Sequence, residues 1–387
     1  MSEHTLIEEL EAEIAKCMKC GNCQAVCPIY KEDMAEWSVA RGKIKLARDL
    51  LTGKLEYTDR MEDIFSLCLT CQACAENCPC GVRPDKIILA TRAVMVAKKG
   101  LPAVKRAAFN LLEHPGPFRW GMRVGSRLQG VGLRKVNDSG LVKPRFPIGL
   151  DMRRVVRPLA AKSLLSQVPE VTTVDNPRGR VVFFTGCMLN YIYTDAGQAV
   201  IDVLAANNIE VVTPKAQHCC GIPVIMNGDM ETARKIARYN IDVLSGYECD
   251  AVVTHCGTGI DAWVHHYPEL LADDAAYAEQ ARVLSAKAYD LSQYLVDVAG
   301  FRPPKKAVDT TVTYHDPCHM VRGVGVSAQP REIIRSIPGV VFQEMKKPDR
   351  CCGSAGSFSL THYNLSSKIR DRKIRDILSV GTNLVLT

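Results

Sequence analysis

The chain has 387 residues, an apolar fraction of 47% and a formal net charge of +7. This length exceeds one ordinary domain and predicts two or three compact units that each bury a core. The longest apolar runs fall far short of the roughly 20 residues that a transmembrane helix needs. The N-terminus is acidic, whereas an export signal begins with positive charge. We therefore expect a cytoplasmic protein, with peripheral contact to the inner face of the cell membrane left open.

The seventeen cysteines are distributed unevenly along the chain. In a long chain without an export signal, they indicate metal-binding thiolates rather than a disulfide scaffold. Nine lie in residues 1–95, none in residues 96–178, and the others follow. This distribution predicts an N-terminal metal domain over residues 1–95, a basic helical connector over 96–178, and two further domains over 179–305 and 306–387.

Two cysteine motifs of identical spacing lie on either side of a helix predicted over residues 37–51. They read Cys17-x-x-Cys20-x-x-Cys23-x-x-x-Cys27-Pro28 and Cys68-x-x-Cys71-x-x-Cys74-x-x-x-Cys78-Pro79. This is the bacterial ferredoxin run, in which the fourth cysteine of each motif ligates the other [4Fe-4S] cluster. We therefore predict two [4Fe-4S] clusters. Their ligands are Cys17, Cys20, Cys23 and Cys78 for the first, and Cys27, Cys68, Cys71 and Cys74 for the second.

Two alternatives remain for these motifs. Zinc also favours four thiolates, but a zinc site has no use for a third thiolate at the same step in both motifs. Clusters with a purely structural role are the second alternative, although two adjacent clusters are better suited to electron transfer. Cys80 belongs to neither motif and is interpreted as a spare thiol.

The connector is strongly basic. Residues 92–162 contain 16 Lys or Arg and only three acidic residues, Glu113, Asp138 and Asp151. This charge favours docking to a partner or to a membrane surface, although a connector that is merely solvated would look the same. No aromatic-basic pattern or DNA-binding motif accompanies the charge, so we expect no nucleic-acid partner.

Strands and helices alternate after residue 179 and predict parallel sheets covered by helices. The predicted strands cover residues 181–184, 209–212 and 251–254, then 311–314, 340–342 and 383–386, with helices over 196–206 and 230–244. Cys187 precedes Cys219-Cys220-Gly221 by 32 residues, and Cys318 precedes Cys351-Cys352-Gly353 by 33. The matched separations indicate an internal duplication.

The cysteines of this half follow the ends of predicted strands, where open parallel sheets bind ligands. We predict one metal site from Cys187, Cys219, Cys220 and Cys256, and a second from Cys318, Cys351 and Cys352. The alternative is that they are small buried core residues. Histidines accompany the sites, and the pair to test is His315 and His319, which flank Cys318; the others are His218, His255 and His362.

These cysteine patterns resemble the CCG-domain proteins over nearly the whole chain. That family includes the iron-sulfur subunits of bacterial glycolate and lactate oxidases and the catalytic subunits of heterodisulfide reductases. Three segments look most like the glycolate oxidase branch: Ser38-Val39-Ala40-Arg41-Gly42-Lys43, His315-Asp316-Pro317-Cys318-His319 and Cys351-Cys352-Gly353-Ser354-Ala355-Gly356. The resemblance implies an α/β protein with an N-terminal α-helical two-cluster ferredoxin domain. It also implies duplicated CCG domains with small parallel sheets covered by helices.

Two departures from the family pattern bear on the metal sites. Family repeats usually close with a CxxC, but Gly259 stands where the last cysteine would follow Cys256. The first repeat thus keeps four candidate ligands, enough for a cubane or zinc but not for the five-cysteine noncubane site of heterodisulfide reductases. In the second repeat the chain stops about two residues before the equivalent of Cys256. We expect a truncated repeat or, if the chain is complete, a damaged site or one completed by a histidine.

The resemblance implies an electron-transfer subunit of a flavin-linked 2-hydroxyacid dehydrogenase acting on glycolate or lactate. Electrons would pass from FAD on a partner subunit through the clusters to a quinone or another carrier. The sequence contains no P-loop or dinucleotide fingerprint, so FAD is expected on the partner. The CCG half would hold a further iron-sulfur cluster or zinc. The alternatives are a heterodisulfide reductase-like catalytic subunit that uses a CCG-bound cluster, and a zinc-stapled scaffold.

Overall fold

The computed structural model describes residues 10–147 and 149–387. Residues 1–9 of the predicted N-terminal domain and residue 148 of the predicted connector lie outside this range. The chain forms two compact units. Within the described residues, the first unit comprises the chain up to Ala103 together with Ile222–Met230 and Pro304–Thr387, and the second comprises Val104–Gly221 and Glu231–Pro303.

The α-helices that lie wholly within the described residues are numbered in chain order. They are α1 Asn22–Val26, α2 Tyr30–Asp33, α3 Ala40–Leu51, α4 Asp59–Ser66, α5 Ala73–Glu76, α6 Pro84–Lys99, α7 Ala103–Glu113, α8 Pro115–Gly132, α9 Gly186–Tyr191, α10 Thr194–Ala206, α11 Ile222–Ile225, α12 Met230–Ser245, α13 Gly257–Asp261, α14 Tyr267–Leu270, α15 Ala278–Ala286, α16 Leu291–Gln293, α17 Ala328–Ser336, α18 Phe358–Thr361 and α19 Tyr363–Leu378. Glu36–Ser38 and Leu164–Ser166 are 3₁₀-helical, and Ala262–His266, Tyr294–Val298 and His319–Val324 are π-helical.

The strands are likewise numbered in chain order. They are β1 Leu133–Val136, β2 Leu141–Pro144, β3 Val171–Thr172, β4 Gly179–Phe183, β5 Ile209–Val212, β6 Ala251–Thr254, β7 Ala288–Asp290, β8 Thr310–Tyr314, β9 Val340–Phe342 and β10 Leu384–Leu386. Each predicted strand corresponds to an observed strand, and β5, β6 and β9 have the predicted bounds.

Helices α3 and α6 form the core of the N-terminal part of the first unit. Ile44, Ala47 and Leu50 recur on one face of α3 at helical spacing, and all three are buried. They pack with Ile87 and Ile88 of α6 in one apolar cluster. Helix α6 has Pro84 in its first turn, where proline is tolerated, and ends at Gly100 with φ of 74°. The two helices thereby form a rigid support for the cysteine loops.

The C-terminal part of the first unit contains a three-stranded parallel sheet in the order β10-β8-β9. Val312 and Tyr314 on the central strand pack with Ile334 of α17. The carboxyl end of β8 leads to Cys318, as the alternating pattern predicts.

The second unit contains a five-stranded sheet in the order β3-β5-β4-β6-β7. Strands β4 to β7 run parallel, whereas the short β3 pairs antiparallel with β5. Val181, Val182 and Phe183 on β4 are fully buried, which matches their unbroken apolar sequence. The prediction of small parallel sheets covered by helices is thus confirmed for both repeats.

The basic connector contains two long helices, α7 and α8, followed by an antiparallel hairpin of β1 and β2. The helices agree with the predicted helical patterns, but the hairpin was not predicted. Among the described residues, the structure holds no helix that is both long enough and apolar enough to cross a bilayer.

Candidate iron-sulfur centres

The two N-terminal cysteine loops adopt the same unusual backbone conformation. In the first loop the residues on either side of Cys20, Lys19 and Gly21, have positive φ angles of 61° and 89°. In the second loop Thr70 and Gln72 on either side of Cys71 have φ of 50° and 59°. Left-handed residues curl a chain tightly and turn successive amides inward, as anion-binding loops do. The equal spacing of the two motifs therefore corresponds to an equal loop shape.

The first loop surrounds a cavity that is open to solvent on one side. Six thiols line it: Cys17, Cys20, Cys23, Cys74, Cys78 and Cys80. The four residues of the first predicted ligand set therefore lie around one space, and Cys78 comes from the other motif. Cys20 is exposed, as is Met18 beside it at 67%. This cavity lies near the protein surface.

The second loop surrounds a second cavity. Its four thiols, Cys27, Cys68, Cys71 and Cys74, are the second predicted ligand set. Burial raises the pKa of the Cys27 thiol to about 12. Thr70 donates its backbone N–H to Cys68 Sγ at 3.3 Å. Cys74 lines both cavities, so the two spaces are neighbours.

Two cations lie beside the second cavity, the buried Lys43 and the partly buried Arg92. Lys43 lines it, is only 1% exposed, and donates from Nζ to the Ser38 carbonyl oxygen at 2.6 Å. Burial lowers the pKa of Lys43. Arg92 donates to the carbonyl oxygens of Phe65, Cys68 and Met226. Because a cation offsets the negative charge of thiolates, both side chains stabilise an anionic group in this cavity.

The cysteines of the first CCG repeat form one thiol group. Cys219 Sγ lies 3.9 Å from Cys187 Sγ and interacts with Cys220 as well. Charge on Cys220 and Cys187 raises the pKa of Cys256, after the larger effect of burial. The structure therefore brings together all four cysteines of the first predicted CCG site.

Neutral groups support this first site. The Asn240 side chain donates to the Cys219 carbonyl oxygen at 2.8 Å and accepts from the His218 backbone N–H at 3.0 Å. Tyr267 donates its hydroxyl to the Cys220 carbonyl oxygen at 3.0 Å. Cys256 Sγ lies 3.3 Å from Thr258 Oγ1. Within the described residues, the main effects on the pKa values of Cys187, Cys219 and Cys256 come from burial, other cysteines, Thr258 and backbone amides.

The glycine of each CCG sequence has a specific structural role. Gly221 and Gly353 have φ of 76° and 78°, and each donates its backbone N–H to the first cysteine of its pair, at 3.5 Å and 3.4 Å. A Cβ on Gly353 would lie 2.6 Å from the Ser366 carbonyl oxygen. Glycine is thus required for both the backbone angle and the close approach.

Position 259, where the family has its last cysteine, lies against Cys256. A Cβ on Gly259 would be 3.3 Å from Cys256 Cβ and 3.7 Å from Cys256 Sγ. The missing cysteine would therefore have belonged to the same group of thiols.

The second CCG site lies beside the second N-terminal cavity, within the first unit. A hydrogen bond with the Cys351 thiol lowers the pKa of Cys71 and raises that of Cys351. Cys318 interacts electrostatically with Cys71 and Cys352. Cys71 and Cys351 also share an apolar cluster with Leu69, Phe358 and Ile369. The three predicted cysteines of this site are therefore together, next to a cysteine of the ferredoxin domain.

Charged groups support this second site. Arg322, with a side chain 6% exposed, donates to Glu76 Oε2 at 2.6 Å and pairs with Asp349. Arg331 holds the buried Asp316 in a bidentate pair with two contacts of 2.8 Å. The buried Lys373 donates to the carbonyl oxygens of Lys347 and Pro348, and burial lowers its pKa to about 8.

The histidines occupy different environments. His218 and His319 are buried, His255 is exposed, and His362 Nε2 lies 3.1 Å from Ser66 Oγ. His315 Nδ1 lies 3.0 Å from the Pro348 carbonyl oxygen, and burial lowers its pKa to about 4. His315 is therefore a neutral, hydrogen-bonded residue at neutral pH, while the backbone amide of His319 interacts with Cys318.

The sequence analysis did not identify the buried or partly buried cations near the sites, namely Lys43, Arg92, Arg322 and Lys373. For Lys43 a signal existed, because it lies at helical spacing among Ala40, Ile44 and Ala47 on an otherwise apolar face. A lysine in such a stripe is either paired or functional. The other three become recognisable only from their long-range partners.

The shape of the N-terminal sites fits a group larger than one ion. Within the described parts of the chain, no three His, Cys, Asp or Glu side chains converge as ligands of a single metal ion. The predicted ligand sets instead line two spaces, with the four thiols of one set around each. Thiolate donors around such a space match the chemistry of an iron-sulfur cluster.

Comparisons with known proteins agree with this description. Residues 13–82 match the 4Fe-4S dicluster domain family, and residues 181–258 and 312–387 each match the Cysteine-rich (CCG) domain family. A probable glycolate oxidase iron-sulfur subunit from Bacillus subtilis is 32% identical over 388 residues, which cover 97% of this chain and 87% of that protein. The glycolate oxidase iron-sulfur subunit of Escherichia coli is 27% identical over 402 residues, covering 100% of this chain and 90% of that protein.

A third relative is longer. One of the subunits of the fumarate reductase (CoM/CoB) of Methanothermobacter marburgensis is 30% identical over 376 residues, or 96% of this chain, but the chain spans only 65% of that protein. The resemblance inferred from the cysteine motifs is thus confirmed over almost the whole chain. The chain belongs to the CCG-domain iron-sulfur proteins and, among them, to the family of the glycolate oxidase iron-sulfur subunits.

Proposed function

We propose that this chain is the electron-transfer subunit of a flavin-linked 2-hydroxyacid dehydrogenase complex that oxidises glycolate or lactate. The relatives named as glycolate oxidase iron-sulfur subunits support this assignment. A hydroxy acid releases two electrons, whereas an iron-sulfur cluster accepts one at a time. The partner subunit therefore supplies FAD, which divides the electron pair.

The proposed ligands follow the two N-terminal cavities. Cys17, Cys20, Cys23 and Cys78 hold one [4Fe-4S] cluster, and Cys27, Cys68, Cys71 and Cys74 hold the other. The first cavity lies at the surface, where Cys20 and Met18 are exposed, and this favours it as the entry point from the partner. In the second cavity Cys71 is buried, which suits transfer within the chain.

One observation carries the proposed path: Cys71 and Cys351 are buried in the same apolar cluster, and each thiol shifts the pKa of the other. Cys351 belongs with Cys318 and Cys352 to the second CCG site. The cysteines that line the second N-terminal cavity are therefore in contact with the next thiol group along the chain. We infer that electrons leave the ferredoxin domain through the second CCG repeat. A further cluster in the CCG half, held in the first repeat by Cys187, Cys219, Cys220 and Cys256, serves transfer to a quinone or another carrier.

The test uses the full chain purified anaerobically with its co-expressed flavoprotein partner. About eight irons per chain correspond to two [4Fe-4S] clusters, and about twelve or more indicate a cluster in the CCG half. We expect glycolate or lactate to reduce the clusters only when the partner is present. Low-temperature EPR of the reduced sample should show a spin-coupled signal beyond that of the two neighbouring N-terminal clusters, and Cys351→Ser should abolish this further signal.

Cys219→Ser is the matched control, because it removes the corresponding cysteine of the first repeat. It should leave the coupled signal intact and remove only a signal that belongs to the first CCG site. Iron well below eight in a loaded preparation, or clusters that neither acid reduces in the complete complex, would refute the proposal. Turnover of a disulfide substrate by the chain alone would favour the heterodisulfide reductase-like alternative instead.

A further inference from the structure

Helix α8 presents an unusual combination of side chains to solvent. Trp120 is 67% exposed and Val131 is 68% exposed. Arg123 and Arg127 lie between them in sequence and are exposed as well. At 100° per residue, positions 120, 123, 127 and 131 form one stripe along the helix. The stripe therefore combines apolar and cationic side chains over three turns.

The charge around this stripe has one sign. Residues 115–150 contain seven Lys or Arg and a single acidic residue, Asp138 in the β1–β2 turn. Arg134 and Lys135 on β1 extend the exposed cationic surface beyond the end of α8. Within the described residues, neither Arg123 nor Arg127 forms an ion pair with a carboxylate. The stripe thus combines uncompensated positive charge with exposed apolar area.

The opposite face of α8 packs against other parts of the second unit. Phe118 is 8% exposed, and its ring lies edge-on to Tyr191 at 5.6 Å and to His218 at 5.1 Å between centroids. The Gln129 side chain donates to the Leu159 carbonyl oxygen and accepts the Leu159 backbone N–H, both at 2.9 Å. The helix is therefore anchored, and its exposed stripe is a permanent feature of the surface.

We propose that the exposed stripe of α8 docks this protein on an anionic lipid bilayer. A helix whose exposed face carries Arg together with Trp and Val has the composition of interfacial membrane helices. Tryptophan prefers the headgroup level of a bilayer, and arginine binds lipid phosphates there. The excess of positive charge is complementary to the negative surface of such a membrane. A protein partner with acidic residues is the competing occupant, and it forms one outcome of the test.

The docking surface lies on the other side of α8 from the first CCG site. His218, which Phe118 contacts, directly precedes Cys219 in the chain. A helix with its side chains is about 10–12 Å across, so about one helix diameter separates His218 from the lipid-facing stripe. Docking through α8 therefore holds the thiol group of the first repeat close to the membrane surface.

The experiment measures sedimentation of the anaerobically purified full chain with vesicles of phosphatidylglycerol and phosphatidylcholine in equal parts, and with vesicles of phosphatidylcholine alone. We expect binding to the anionic vesicles only, and weaker binding as salt rises from 0.1 to 1 M, since the Debye length falls from about 10 to about 3 Å. Arg123→Gln/Arg127→Gln should weaken binding about 10- to 30-fold. Trp120→Ala should weaken it about tenfold.

Two control variants match these changes. Lys305→Gln/Lys306→Gln removes the same charge from exposed positions outside α8, and Val283→Ala truncates an apolar side chain that is 49% exposed on α15. Both should bind vesicles like the unmodified chain. The inference fails if the α8 variants bind vesicles normally, or if neutral and anionic vesicles bind equally. It also fails if the α8 variants still bind anionic vesicles but no longer co-purify with the flavoprotein partner, because the stripe is then a protein interface. None of these readouts depends on electron transfer, so the proposed function is tested separately.

Discussion

The two CCG repeats place their cysteines at matching positions but surround them with different chemistry. In the first repeat, Thr185 lies two residues before Cys187 and carries no charge; its backbone N–H donates to Gln217 Oε1 at 2.7 Å. In the second repeat the equivalent position is Asp316, which is held by Arg331. The turn between the strand and the cysteine is thus held by a hydrogen bond to the Gln217 side chain in the first repeat, and by the Asp316–Arg331 ion pair in the second.

This difference teaches what the duplication has preserved. The CCG glycine and its N–H donated to a cysteine sulfur occur in both repeats. The surrounding polar groups have diverged, towards neutral hydrogen bonds in the first repeat and towards buried cations in the second. Since positive charge favours the more negative state of a metal centre, the two sites differ in the electron affinity that they impose on a bound group.

The largest expected effect is on the stability of the two repeats when the Arg331 or the Gln217 side-chain interaction is removed. Arg331→Met leaves the carboxylate of Asp316 buried without its cation, and we expect a loss of about 3–5 kcal/mol in the stability of the second repeat. Gln217→Met in the first repeat removes neutral hydrogen bonds and should cost about 1–3 kcal/mol. Amide hydrogen–deuterium exchange measured at increasing urea concentration gives the stability of each repeat separately, from the amides of β8 for the second repeat and of β4 for the first. Equal losses of stability in Arg331→Met and Gln217→Met would contradict the prediction, because the ion pair and the neutral hydrogen bonds would then contribute equally.

The second prediction compares the CCG glycines. Gly353→Ala places a Cβ against a backbone oxygen and should cost about 2–4 kcal/mol. In Gly221→Ala the closest atom is Ile236 Cγ2 at 3.2 Å, which can shift, so we expect about 1–2 kcal/mol. Gly381→Ala is the control, because its φ is 69° and no atom lies within 4 Å of the new Cβ. The same exchange measurement should rank the three variants in this order, and a Gly353→Ala loss no larger than that of Gly381→Ala would contradict the steric argument.

The smallest effect concerns reduction potential. Arg322 acts electrostatically on Cys71 and Cys318, so Arg322→Gln removes about 1–2 kcal/mol of Coulomb stabilisation, or about 40–90 mV for one electron. The EPR-monitored midpoint potential of the second N-terminal cluster should fall accordingly. Tyr267→Phe removes a neutral hydrogen bond at the first CCG site and changes no charge there. It should therefore shift the midpoint potential of a group bound at that site by less than Arg322→Gln shifts that of the second N-terminal cluster.

Arg370→Gln supplies the control for that measurement. Arg370 lies in the same unit but is solvent-exposed and paired with Asp371, so solvent screens its charge. If Arg322→Gln and Arg370→Gln give the same midpoint potential for the second N-terminal cluster, the buried charge of Arg322 does not affect that potential.

The sequence predicted most of the fold because the relevant signals are local. Apolar runs identified β4 and β6, and the matched CCG spacing identified the duplication. The hairpin of β1 and β2 was missed because Leu133–Val136 and Leu141–Pro144 lack a clear alternation of apolar and polar residues. The two-residue strand β3 is defined only by its pairing with β5.

The candidate sites were less completely predictable. The motifs indicated which cysteines belong together, but the contact between Cys71 and Cys351 joins residues 280 positions apart and has no sequence signal. The same holds for Arg92, whose contact with Met226 draws Ile222–Met230 into the first unit. Such features arise from tertiary packing, which residue patterns do not encode individually.

The apolar cluster that joins Cys71 to Cys351 has a consequence for how the protein is made. Leu69 and Cys71 leave the ribosome early, whereas their neighbours Phe358 and Ile369 are synthesised only after every residue of the second unit. The first cavity is lined only by residues 17–84, so its walls are available long before synthesis ends. The apolar cover of the second loop is completed only after Phe358 and Ile369 have been synthesised, so the walls of the first cavity are available while the second loop is still uncovered.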